Sequence, residues 1–196
     1  MNDIAAQLTA IHRAVSTVKA EGGETVNVLL RRTYNAEVED VWDALTDPDR
    51  VKRWFLPLTG DFREGGTFQL EGNAGGDILT CDPPRLLKVT FGGPVSLVEL
   101  RLAPDGDEST VLELEHTVPI EMAGSGAGAL FVGPGWDGIF VGLGLHLSGE
   151  DVKDPVTGDH AHRSIDAWVA AVETSGTASA DEIAAGKAAA LGQFAP

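Results

Sequence analysis

Residues Val38–Phe55 read VEDVWDALTDPDRVKRWF. Val38, Val41, Trp42 and Leu45 fall at i, i+3, i+4 and i+7, one face of a helix only two turns long. Asp47-Pro48 then pairs an N-cap with a first-turn proline, so a second helix starts there with Asp49 near its positive end. Val51, Trp54 and Phe55 make its apolar side, and Pro57 stops it. Helices this short do not hold themselves, so the corner they form must lie on a larger apolar surface.

The chain after Thr25 supplies that surface. Val26, Val28 and Leu30 alternate with polar neighbours, and Thr67–Glu71, Asp77–Cys81, Leu86–Phe91, Ser96–Ala103 and Thr110–Thr117 repeat the period of two that marks antiparallel strands. Glu64-Gly65-Gly66, Asn73–Gly76, Asp82-Pro83-Pro84, Gly92-Gly93-Pro94 and Pro104–Asp107 separate them at hairpin spacing. Before the strands, Ile4, Leu8, Ile11, Val15 and Val18 recur at helical spacing and predict a helix over Asp3–Ala20, ended by Gly22 and Gly23, which caps the domain or makes dimer contacts. His12 on that helix reads as a surface residue. After the strands, Glu121–Gly128 predicts a mobile small-residue loop leading to a helix near Pro134–Leu147. In that helix Trp136, Ile139, Phe140, Leu143 and Leu147 form an apolar stripe, and Gly138, Gly142 and Gly144 allow close approach to a sheet. Ile165, Trp168 and Val169, then Ile183, Ala184, Ala188 and Leu191, predict two more helices beyond a turn at Asp154–Gly158.

The segments VNVLLRRTYNAEVEDVW (26–42), TDP (46–48), RWF (53–55), GDFREGGTFQLEGNAGGDIL (60–79), CDPPRLLKVTF (81–91) and LELEHT (112–117) resemble the SRPBCC, START-like superfamily. Within it they are similar to the C-terminal domain of the Aha-type activator of the heat-shock-protein-90 ATPase. The resemblance covers about Val26 to Leu147. It implies an α+β helix-grip fold, in which a curved antiparallel sheet wraps a long C-terminal helix around a cavity, with two short helices after the first strand and extra helices at both termini. The implied division is 1–23 as an N-terminal extension, 24–150 as the helix-grip domain and 151–196 as a C-terminal extension. A stress-response role, with a chaperone or another protein as partner, is implied by the same likeness.

Composition narrows the function. Fourteen basic against thirty acidic residues give a net charge of −16, which opposes binding to nucleic acid or anionic membrane. No apolar run approaches the roughly 18–20 residues of a membrane span, and no signal-peptide pattern opens the chain, so a soluble, cytoplasmic protein is expected. The single cysteine, Cys81, excludes an internal disulfide and a thiolate metal cluster. No zinc-protease helix motif, nucleophile elbow or Walker loop occurs. Asp159-His160-Ala161-His162 sits in a polar linker and reads as solvated, and no metal or cofactor is expected. Asp137 and His146 lie about 14 Å apart along one helix and cannot form a dyad. Glu99 and Arg101 read as a surface ion pair.

Strand alternation puts Phe68 and Leu70 on one face, with Leu87, Val89 and Phe91, then Val98, Leu100 and Leu102, then Leu112, Leu114 and His116. Together with Trp54 and Phe55 from the helical corner and Trp136, Phe140 and Leu143 from the long helix, these residues predict an apolar concave face that is either a filled core or, as the resemblance implies, the wall of a ligand cavity, with His116 its notable polar group. Non-catalytic binding of a small hydrophobic or amphipathic molecule is the leading expectation, by a monomer or homodimer. A chaperone-directed interaction module and a cyclase- or hydrolase-like enzyme are the alternatives, and no catalytic set is assigned.

Overall fold

The computed structural model describes residues 3–20 and 22–196 and divides into two compact units. The first comprises the segment up to Leu30, Thr117–Val141 and Asp154–Pro196; the second comprises Arg31–His116 and Gly142–Lys153. Eight strands form one antiparallel sheet in the order β1-β2-β8-β7-β6-β5-β4-β3.

In the first unit, α1 (Ile4–Thr9) is capped by Asp3, whose carboxylate accepts from Ala5 N at 2.9 Å. The expected helix over Asp3–Ala20 stops there, and β1 (His12–Ala20) follows instead. The apolar spacing misled because one inward position is charged. Ile11 and Val15 are buried, Arg13 between them has a side chain only 8% exposed, and Val18 is 45% exposed. The true period is therefore two, masked by an arginine turned inward. Gly22 and Gly23 join β1 to its neighbour β2 (Gly23–Tyr34) rather than ending a helix, and Gly23 takes a φ of 117° that favours glycine.

The small-residue stretch after β8 (Thr110–Pro119) is structured: α4 (Ile120–Ala123) leads to a single 3₁₀ turn, Gly126–Gly128, whose Gly126 N donates to Thr177 O at 3.1 Å. The long helix α5 runs Ala129–Leu147, five residues earlier than the sequence implied, with Pro134 inside it. Burial of Ala129 and Leu130, both at 0% exposure, outweighs the Gly-Pro-Gly breaker signal. Helix and preceding turn, Gly126–Leu147, are long and apolar enough to cross a membrane, contrary to the run-length reading, yet 67% of the qualifying window is buried within the protein, the position of a core helix. Close approach occurs at Gly133, where a Cβ would lie 2.4 Å from the Trp168 indole; at Gly138 a Cβ would meet nothing.

Helix α6 (Asp159–Ser175) ends on Gly176 in the left-handed conformation, and α7 (Ala180–Phe194) starts with a capping box between Ser179 and Glu182. The inner face of α6 is Ile165, Trp168 and Val172. On α7 it is Ile183, Gly186 and Ala190, whereas Ala184 and Ala188 are exposed, because the chain turns its smallest residue toward Leu130.

In the second unit, α2 (Val38–Thr46) and α3 (Pro48–Trp54) form as the sequence implies. Asp47 accepts from Asp49 N at 2.7 Å and Arg50 N at 3.2 Å. Trp54 closes the corner by donating from Nε1 to Ala44 O. A three-residue strand not foreseen, β3 (Leu58–Gly60), pairs with β4 (Thr67–Leu70), and β5 (Gly75–Asp82), β6 (Leu86–Thr90), β7 (Leu97–Pro104) and β8 continue the sheet. Register sets Phe68 against Gly76, Ile78 against Val89, Val89 against Val98 and Leu87 against Leu100, so the apolar residues share one face.

Replacing Gly133 by Ala drives a methyl group into the Trp168 ring, and overpacking of this kind costs about 1–3 kcal/mol. Urea denaturation should show that loss for G133A and almost none for G138A; equal stability of the two variants would contradict the close contact.

Candidate functional site

The inward face of the second unit is apolar and nearly withdrawn from solvent. Trp54, Phe68, Leu70, Val98, Leu114 and His116 are each at most 9% exposed, while Phe55, Phe91 and Leu100 are half-buried. The structure brings several of these together. Phe68 stacks on Phe91 at 6.3 Å between ring centroids, and Phe91 meets the His116 imidazole edge-on at 6.0 Å. Trp54 and Phe55 stack on each other at 5.7 Å, and Trp54 also stacks on His146. Leu143 belongs to this unit and is fully buried, as is Phe140 of the first unit; Trp136, also of the first unit, is 7% exposed.

Ser96 Oγ lies 2.9 Å from His116 Nε2. Burial lowers the His116 pKa to about 4, so the imidazole is neutral at neutral pH and offers one donor and one acceptor. A base this weak is poorly matched to proton abstraction near pH 7. The lone thiol is no better placed as a nucleophile: burial, then the Asp82 charge, push Cys81 upward, and its Sγ contacts Phe62 O.

Sequence reasoning passed over Arg32. Along β2, Leu30, Arg32 and Tyr34 are buried while Arg31 and Thr33 are exposed, so Arg32 takes the inward phase of the strand. Its guanidinium carbon sits 4.7 Å from the Tyr34 ring centroid, a cation–π contact, and it makes further interactions in the protein. Burial lowers the Arg32 pKa and raises that of Tyr34. The signal was a charged residue at the inward phase of the strand, where the alternation of Val26, Val28 and Leu30 places Arg32.

Asp137 and His146, which cannot meet on one helix, each have partners elsewhere. Asp137, fully buried in the first unit, accepts from Arg13 Nε at 2.9 Å, Ser164 Oγ at 2.5 Å and Trp168 Nε1 at 3.1 Å; burial raises its pKa against the pull of those donors. In the second unit His146 Nδ1 is 2.6 Å from Asp151 Oδ1, and its Nε2 is 3.4 Å from an Arg50 nitrogen. Asp151 also pairs with Arg53, and the hydrogen bond to His146 holds its carboxyl below the usual range. Arg101 joins Glu99 on its own strand, β7, and Glu113 and Glu115 on β8, a wider network than the single pair expected. His160 and His162 fall in the first turn of α6, two residues apart and so on different sides of the helix. No group of three His, Cys, Asp or Glu able to hold a metal occurs among the described residues.

The family profile described as "Activator of Hsp90 ATPase homolog 1-like protein" matches residues 35–144. The chain belongs to this family. Among solved structures, the crystal structure of CalU16 from Micromonospora echinospora is 40% identical with a TM-score of 0.69, covering 83% of this chain and 98% of CalU16. The solution structure of the same protein gives 36% identity and a TM-score of 0.67, over 85% and 97% of the two chains. A conserved protein of unknown function from Enterococcus faecalis, EF2215, is similar in fold alone, with 12% identity, a TM-score of 0.65 and coverage of 87% and 95%. No curated protein matches. The α+β helix-grip architecture is thus the family's, while β1, α6 and α7 lie outside the matched segment.

A group whose folded pKa lies below its unfolded value makes the protein less stable as pH falls through that interval. For His116 the window runs from 6.5 down to about 4, and the loss reaches roughly 3 kcal/mol. His116→Gln keeps a hydrogen-bonding side chain but does not titrate. Urea midpoints at pH 7 and pH 4.5 should therefore fall less for the variant than for the parent protein; identical falls would exclude a buried neutral imidazole.

Proposed function

We propose that the protein binds a small hydrophobic or amphipathic molecule without transforming it, against the inward face of the second unit. The observation that carries this reading is the Phe68–Phe91–His116 ring series, with a half-buried Phe91 and a neutral imidazole beside Ser96. Stacked aromatic faces supply affinity through buried area, and a neutral donor–acceptor pair orients a ligand without the desolvation cost of an ion. The low basicity of His116 and the raised Cys81 thiol favour binding over acid–base or nucleophilic chemistry. A thermal-shift screen of lipophilic compounds should give concentration-dependent stabilisation by at least one class. Phe91→Ala, at a half-buried position, should weaken that ligand about tenfold; a screen with no stabilising compound would end the proposal.

A second reading, a co-chaperone-like interaction module, is supported by the family's own description. Adding the protein to its host's large heat-shock chaperone and measuring ATP hydrolysis tests it. Stimulation would favour this reading, and an unchanged rate at saturating protein would remove it.

A further inference from the structure

We propose that the first unit holds a separate binding site, a cleft between the segment leading into α6 and the end of α7 that takes a small organic amine as its ammonium ion. The cleft is about 460 Å³ and is lined wholly from within Asp154–Pro196, so it is independent of the ligand reading above, which concerns the other unit. Val156, 7% exposed, and the half-buried Phe194 give it apolar surface. The Phe194 ring reaches α5, where a Cβ at Gly135 would lie 3.7 Å from its Cε1. Asp154, Thr157, His162 and Gln193, all exposed, supply the polar part of the lining.

The lining selects the charge of its occupant. Asp154 is its acidic member, and no lysine or arginine among the described residues lines the cleft, so a cation finds a counter-charge there and an anion does not. Among the described residues the Asp154 carboxylate has no hydrogen-bond or ion-pair partner. An ammonium group carries three N–H donors and no acceptor. The carboxylate, the Thr157 hydroxyl and the Gln193 amide oxygen are acceptors that match those donors, and a hydrocarbon part then lies against Val156 and the Phe194 ring. A metal ion fits less well, because no group of three His, Cys, Asp or Glu able to hold one occurs among the described residues. The net charge of −16 draws cations to the surface as a whole. Apolar surface beside a free carboxylate is what localises an amine with a hydrocarbon part at this cleft.

Phenethylammonium, phenylethanol and phenylpropanoate share a phenyl ring on a short alkyl link and differ in head-group charge. Each is titrated into the isotope-labelled full chain and followed by backbone amide chemical shifts. Phenethylammonium should bind about fivefold more tightly than the alcohol, with shifts centred on residues 154–162 and 193–196, and the carboxylate should bind most weakly. Asp154 has a φ of 53°, a conformation that Asn accepts as Asp does, so Asp154→Asn removes the charge without straining the backbone. It should abolish the advantage of the ammonium and leave the affinity of the alcohol unchanged. Equal affinity for ammonium and alcohol in the parent protein, an advantage that survives in D154N, or shifts scattered over the acidic surface would each overturn the proposal. So would three probes that leave the cleft unshifted, including the case where they shift Phe91 and His116 instead, which would support the ligand reading of the second unit alone. The comparison of probes on the unaltered protein decides the matter even if D154N does not fold.

Discussion

A carboxylate in the middle of the chain's most apolar helix is the constraint on which the first unit depends. Asp137 on α5 has no exposure to water, and an isolated ion there would cost several kcal/mol. Three donors offset that cost: Arg13 from β1, and Ser164 and Trp168 from α6. Arg13 is itself fixed by the carbonyls of Leu8 and Ile11, and its guanidinium lies 6.0 Å from the Trp168 ring centroid. Segments more than a hundred residues apart are thereby committed to one arrangement, because removing Arg13 leaves Asp137 an uncompensated buried charge and removing Ser164 or Trp168 leaves its carboxylate short of a hydrogen bond. Gly133 lets α6 come close enough for the indole to reach.

The second unit handles buried polarity in the opposite manner. His116 is kept neutral, since a proton would put an ion beside Phe91 with its hydration lost. Arg32 cannot take that route and keeps its charge against an aromatic ring. The inward sheet face of this unit is apolar over most of its area and carries His116 and Arg32 among its buried polar members. The acid–base pairs of the same unit, around His146 and Arg101, are spent on tying helix ends and strands together.

Much of this was legible beforehand where the signal is local. The Asp47-Pro48 corner formed because a cap and a pre-set φ act within a few residues. The β4–β8 rows formed because side-chain alternation has no long-range input. The failures share a cause. Residues 12–20 read as helix and Arg32 went unremarked because each inward row includes an arginine, and partners such as the distant Asp137 for Arg13 and the neighbouring Tyr34 for Arg32 make such positions tolerable. The three-residue β3 and the early start of α5 are likewise tertiary effects, set by pairing with β4 and by burial of Leu130.

By itself the sequence determined the helical corner, the hairpins from β4 to β8 and the apolar inward rows, since periodicity, caps and turn residues act over a few positions, while the fold class followed from the resemblance of those segments to a known family. The tertiary structure alone decided which charged groups go inside: Arg13 with Asp137, Arg32 over Tyr34, His116 beside Ser96. Burying a polar group is favourable only when its partners arrive from remote parts of the chain, and local spacing contains no record of their arrival.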